Sequence, residues 1–189
     1  MTVELLSIAI AGVEDMSDRL EAIARLTKGN IVELGGGEGI NTLRFLKVVD
    51  ERDETVVVID PFEQIPGADE SYFEPYSMAD FLKTVNSFPE LSKNMLLIDL
   101  PSQHADVIEE LKKWAPIGFM FIDGLQDKES VMADIRLAVS LDAEVICIDD
   151  YDRLTPSSQV PLAVDWFRQR LVNYEFVYNG QREIYLLRK

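Results

Sequence analysis

The chain has 189 residues, 47% hydrophobic and 28% charged, with 34 acidic against 18 basic side chains and a formal charge of −16. That length suits one well-cored domain, and no apolar run reaches the roughly 20 residues of a membrane span. The negative field repels phosphate backbones, which disfavours nucleic-acid partners, and its plainest reading is solubility.

The N-terminal stretch LLSIAIAGV lacks a basic flank and is bracketed by Glu4 and Glu14, which argues against a secretory leader. Residues 1–28 are expected to form a helical lead-in to a single domain spanning 1–189. Over 15–27, Met16, Leu20, Ile23, Ala24 and Leu26 fall near one face and predict a helix. Strands are predicted at 30–34, 55–60, 94–99, 118–123 and 144–149. Each is a continuous apolar run, as in a parallel sheet covered on both faces. Helical patterns lie between them near 40–49, 78–88, 103–113 and 128–139. Cys147 is the single cysteine; it excludes an internal disulfide and reads as a buried thiol, consistent with a reducing cytoplasm. The end of the chain differs: YEFVY, Asn179-Gly180 and REIYLL carry the signal of an antiparallel hairpin. The expected fold is α/β, a Rossmann-like open sandwich with a mostly parallel sheet and a C-terminal antiparallel hairpin.

The segment NIVELGGGEGINTLRFL places a glycine-rich turn between the first strand and a helix start, where free N–H groups and bare backbone suit a nucleotide-like ligand. A dinucleotide fingerprint would need glycines at 35, 37 and 40; position 40 is Ile40, and the third glycine comes early, at Gly39. That spacing disfavours a nucleotide-binding oxidoreductase. Glu33 would repel a pyrophosphate and suits a ligand carrying an ammonium instead. The pattern Glu33-x-Gly35-x-Gly37-x-Gly39 resembles the first motif of class I methyltransferases, which bind S-adenosylmethionine. The resemblance implies that the loop wraps the methionine moiety, that Glu33 helps hold its amino end, and that Asp60, closing the second strand, bonds the ribose hydroxyls. A tight strand–helix turn without a ligand is the bland alternative.

Asp123 ends the fourth strand, and Asp149 and Asp150 end the fifth. If those strands are neighbours, the three carboxylates converge at the ligand edge of the sheet. Close carboxylates repel by roughly 4 kcal/mol per pair at an effective dielectric near 20. Some must then take up protons, or a hard cation must sit among them, with Mg²⁺, Mn²⁺ or Ca²⁺ preferred over zinc for oxygen ligands. The segment FIDGLQDKESVMADIRLAVSLDAEVICIDDYD, with VPLAVDWF at 160–167, resembles the metal-dependent macrocin- and novobiocin-type small-molecule O-methyltransferases. The resemblance runs from about Glu21 onward and implies that Asp123, Asp149 and Asp150 hold a divalent cation, Mg²⁺ first.

One departure bears on catalysis. The family continues Asp-Gly-Asp-His, whereas this chain has Asp123-Gly124-Leu125-Gln126, and neither Leu125 nor Gln126 can take the acceptor's proton. Asp127 or Lys128 could substitute from the next turn, although Lys128 also fits a solvated lysine at a helix start. His104 reads as a surface or helix-start residue. Region 61–80 is long for such a connection, and its Phe62, Tyr72, Phe73 and Tyr76 either cover an acceptor or pin the loop. The implied function is S-adenosylmethionine-dependent methylation of a small-molecule hydroxyl with divalent-cation assistance. The rival is a cofactor-binding or regulatory module without turnover. No membrane partner is expected, the expected location is cytoplasmic, and a homodimer remains open.

Overall fold

A computed structural model describes residues 1–11, 13–62, 77–152, 158–178, 180 and 182–189. The elements run α1 (Val3–Ile10), α2 (Met16–Leu26), β1 (Asn30–Leu34), α3 (Ile40–Asp50), β2 (Val56–Ile59), α4 (Met78–Val85), α5 (Pro89–Ser92), β3 (Met95–Ile98), α6 (Ala105–Lys113), β4 (Ile117–Ile122), α7 (Lys128–Ser140), β5 (Val145–Ile148), α8 (Val160–Arg168), β6 (Tyr174–Tyr178) and β7 (Ile184–Arg188). The described strands form one seven-stranded sheet in the order β3-β2-β1-β4-β5-β7-β6. The first five are parallel; β7 runs antiparallel to both β5 and β6. This is the open α/β sandwich expected from the apolar runs, with one reversed strand.

The strands read as unbroken apolar runs because each serves two cores. Along β1, Val32 and Leu34 pack into the layer that holds Val131, Ile135 and Val164 from α7 and α8. Ile31 faces the opposite layer, with Leu20 and Ile23 of α2 and Phe45 and Val49 of α3. Glu33 shares the face of Ile31, so a carboxyl enters that second core at 1% exposure.

Polar side chains start the helices. Asp15, Ser77, His104 and Asp127 each accept a hydrogen bond from a first-turn backbone N–H, of Asp18, Asp80, Asp106 and Ser130 respectively. Two elements depart from expectation. The helix expected near 78–88 is α4 and ends at Val85, and the short α5 that follows, with Pro89 in its first turn, was not expected. The apolar N-terminal stretch is helix α1, within the helical lead-in expected at 1–28, and its Leu5 and Ile8 remain exposed. Residues 160–168 form α8, although VPLAVDWF carried no helix expectation. Of the hairpin turn, Asn179 lies outside the described residues, while Gly180 takes φ 80.

A buried ion pair ties the N-terminal layer to the reversed strand. Arg19 of α2 meets Glu183, just before β7, through Nε and through Nη2 at 3.1 Å, and their side chains are 2% and 0% exposed. Tyr185 donates its hydroxyl to the same carboxylate at 2.9 Å, and Arg19 also donates to the carbonyls of Val13 and Glu14. The charges are thus hydrogen-bonded on several sides, as burial requires.

Candidate active site

At the carboxyl ends of the parallel strands lies a cavity of about 460 Å³. The glycine loop forms one wall. Gly35 takes φ 94, and a side-chain carbon there would lie 2.2 Å from the carbonyl oxygen of Asp123, so only glycine lets β1 and β4 end this close together. Asp60, from the end of β2, reaches across: its Oδ2 accepts from the backbone N–H groups of Gly36 (2.8 Å) and Gly37 (3.1 Å), and its Oδ1 from Phe62 (2.7 Å). The loop's amides are thereby held by the acid expected at the ribose. Gly39, also at positive φ, is the N-cap of α3 and lies outside the lining.

Glu33 lines the cavity floor and accepts the Thr42 hydroxyl from α3. Burial pushes its carboxyl up to about 8; the Thr42 bond opposes that shift and the charge of Asp60 adds to it. Phe62 lines the mouth and packs on Phe81, ring centroids 5.1 Å apart. The other aromatics expected either to cover an acceptor or to pin the loop, Tyr72, Phe73 and Tyr76, lie outside the described residues.

A second wall comes from the segment between β3 and α6 and from α7. Ser102 Oγ donates to Asp134 Oδ1 at 2.5 Å and Gln103 Nε2 to the same oxygen at 3.3 Å. Burial pushes Asp134 up to about 7 against those bonds. Sequence reasoning passed over this carboxyl, although an acid between Val131 and Ile135 on an otherwise apolar helix face was a legible signal.

The pairing of β4 with β5 brings Asp123, Asp149 and Asp150 together, with one oxygen from each within 4.8 Å of the others. Burial, then the charges of Asp149 and Asp150, push Asp123 well above the usual carboxylate range. Burial raises Asp149 to about 6 despite the guanidinium beside it. Three carboxylate oxygens are the donor set a hard cation takes. Two of the trio are already engaged, however. Arg182 Nε lies 2.8 Å from Asp149 Oδ1 and 2.8 Å from Asp150 Oδ1, and Gln126 Nε2 donates to Asp150 Oδ2. Asp149 Oδ2 is buried without a hydrogen-bond partner among the described residues. As arranged, a metal ion among the three would have to displace Arg182 from Asp149 and Asp150.

The two candidate proton acceptors sit elsewhere. Asp127 is the N-cap of α7, with Oδ1 bound to Ser130 N, and Lys128 begins that helix with its backbone N–H on Gln159 Oε1. Neither lines the cavity, whereas Leu125 and Gln126 do. His104 is a half-exposed N-cap of α6.

The sequence profile described as Methyltransferase domain matches residues 32–151, more than half of the chain. Among solved structures, the O-methyltransferase NovP superposes with a TM-score of 0.65 at 18% identity, covering 92% of this chain and 79% of that one. An O-methyltransferase from Bacillus cereus in complex with SAH gives 0.61 at 15%, over 98% and 89%. TomG from Streptomyces achromogenes, an O-methyltransferase involved in tomaymycin synthesis and solved with SAM, gives 0.59 at 14%, over 100% and 92%. At these identities the likeness is one of fold. No curated protein sequence matches the chain.

Proposed function

The chain belongs to the methyltransferase-domain family, and from that membership we propose that it moves a methyl group from S-adenosylmethionine to a hydroxyl of a small molecule. The observation that carries this reading is a single cavity with a glycine loop and Asp60 at one wall and Asp123, Asp150 and Arg182 in another. Gly35, Gly37 and Asp60 would shape the cofactor's seat, with Glu33 below its ammonium and Gly39 starting the supporting helix. The opposite wall would hold the acceptor oxygen in line with the sulfonium methyl. Such positioning can contribute roughly 7–11 kcal/mol toward the barrier.

The expected divalent cation, Mg²⁺ first, draws support from the closeness of Asp123, Asp149 and Asp150. Because Arg182 spans two of them, the proposed transfer is assigned to the chain's own residues alone. The reading keeps the protein in the cytoplasm, as one domain with a small-molecule partner. Among the described residues no helix is long and apolar enough to cross a membrane.

A second reading has its own observation. Leu125 lines the cavity where an acid was expected, and Asp127 is turned away as a helix cap. That favours a cofactor-binding module without turnover. Calorimetric titration with S-adenosylmethionine, followed by methyl transfer from labelled cofactor to a panel of phenols, catechols and sugars, tests both. Binding with transfer supports the enzyme, and binding without transfer supports the module. Failure to bind S-adenosylmethionine sinks both.

A further inference from the structure

We infer that Arg182 is the resident cation of this site: its guanidinium takes the place among Asp123, Asp149 and Asp150 that a divalent metal would otherwise fill, so the protein works without one. The place is built rather than incidental. The backbone carbonyl of Arg182 accepts from Tyr151 N at 2.7 Å and Asp152 N at 3.2 Å, which clamps the residue to the segment that follows β5. From there its Nε is 2.8 Å from one oxygen each of Asp149 and Asp150. Asp150 is further fixed by Gln126 on its other oxygen and by a left-handed backbone, φ 55, that aspartate tolerates better than most residues.

Geometry makes the two cations exclusive. A small hard cation needs carboxylate oxygens at about 2.0–2.1 Å in a near-octahedral shell. The same Oδ1 atoms are held by a planar donor whose charge would repel the ion. Leu125, next along the cavity wall, offers no further oxygen. Half of the Arg182 side chain remains exposed and lines the cavity, so its charge also faces whatever anionic or developing-anionic oxygen enters. Asp149 Oδ2, buried and unpartnered, is the atom a metal would recruit if the guanidinium left.

The inference rests on the methyl-transfer reading only for its consequence that transfer needs no metal; the cation competition itself can be measured without turnover. Mn²⁺ is titrated into wild type, Arg182→Gln and Arg182→Lys, with binding read by electron paramagnetic resonance and by melting temperature. S-adenosylmethionine affinity is measured alongside. The expected result is no response in wild type or Arg182→Lys at millimolar Mn²⁺, and binding at least about tenfold tighter in Arg182→Gln. Wild-type binding as tight as that of Arg182→Gln overturns the inference. So does silence in a folded Arg182→Gln, because the trio would then be no seat for a metal even when freed. If Arg182→Gln fails to fold, Arg182→Met supplies the freed trio: Mn²⁺ binding by wild type as tight as that of Arg182→Met overturns the inference, and so does silence in a folded Arg182→Met. Loss of S-adenosylmethionine binding in wild type would instead count against the proposed function, leaving the Mn²⁺ comparison readable.

Discussion

The carboxyl of Glu33 accepts the hydroxyl of Thr42 across the turn from β1 to α3, and both side chains are sealed from solvent, at 1% and 0% exposure. A carboxyl so placed is held neutral. Burial raises it from 4.5 to about 8, so at pH 7 the folded protein keeps a proton that the unfolded chain gives up. The contribution of Glu33 to stability is therefore complete below about pH 4.5 and declines as pH rises toward 8. The steepest slope is about 1.4 kcal/mol per pH unit. Glu33→Gln should flatten this part of the curve and raise stability at pH 8 relative to wild type. Urea denaturation at pH 5, 7 and 8 checks it; parallel curves for the two proteins would remove Glu33 from the account.

Asp60 holds two amides of the glycine loop and faces the proposed ribose site. Asp60→Ala should weaken S-adenosylmethionine binding by about 1.5–3 kcal/mol, the range for hydrogen bonds to a charged group. Asp60→Asn, which keeps an acceptor oxygen, should lose less. Calorimetry ranks the three proteins, and equal affinities would return Asp60 to a purely structural role.

Removing one partner of the Arg19–Glu183 pair leaves a buried charge without its counterion. Glu183→Ala should destabilise the fold by about 3–5 kcal/mol. The double change Arg19→Met with Glu183→Leu should recover much of that loss. Denaturant midpoints of the single and double variants test the coupling, and additive effects would show that the pair does not act as a unit.

Gly35 and Gly180 both adopt positive φ, but of the two only at Gly35 would a methyl group meet backbone, 2.2 Å from Asp123 O; at Gly180 nothing among the described residues lies within 4 Å. Gly180→Ala should cost about 1–2 kcal/mol from the left-handed conformation alone. Gly35→Ala should lose clearly more, because the ends of β1 and β4 must separate. Melting temperatures of the two variants provide the comparison, and equal shifts would mean that the close approach carries no weight.

The strands were legible because burial on both faces leaves a continuous apolar run, and β1 was expected at the residues where it lies. Asp127 as a candidate acid shows the limit of local reading. An aspartate just before a helix serves equally as a cap or as a base, and only the cavity wall distinguishes them. Helix α8 carried no helix expectation, although Pro161 suits the first turn of a helix. Arg182 left no local signal at all. A basic residue beside a hairpin turn looks solvated, and its partners stand more than thirty residues earlier. The convergence of Asp123, Asp149 and Asp150 was expected from strand ends, but the charge that joins them there was not.

The position of β7 has a kinetic consequence. Although last in sequence, it lies inside the sheet, between β5 and β6. During synthesis β1 to β5 can assemble behind the ribosome, yet β6 has no sheet to join until residues 184–188 emerge, since its neighbour is β7. Arg182 and Glu183 arrive with that strand. Until it docks, Asp149 and Asp150 lack their guanidinium and Arg19 lacks its carboxylate, so two clusters of unpaired charge discourage premature burial of the half-made edge. Insertion of a single strand neutralises both at once, and this makes the closing of the sheet and the completion of the cavity one cooperative event.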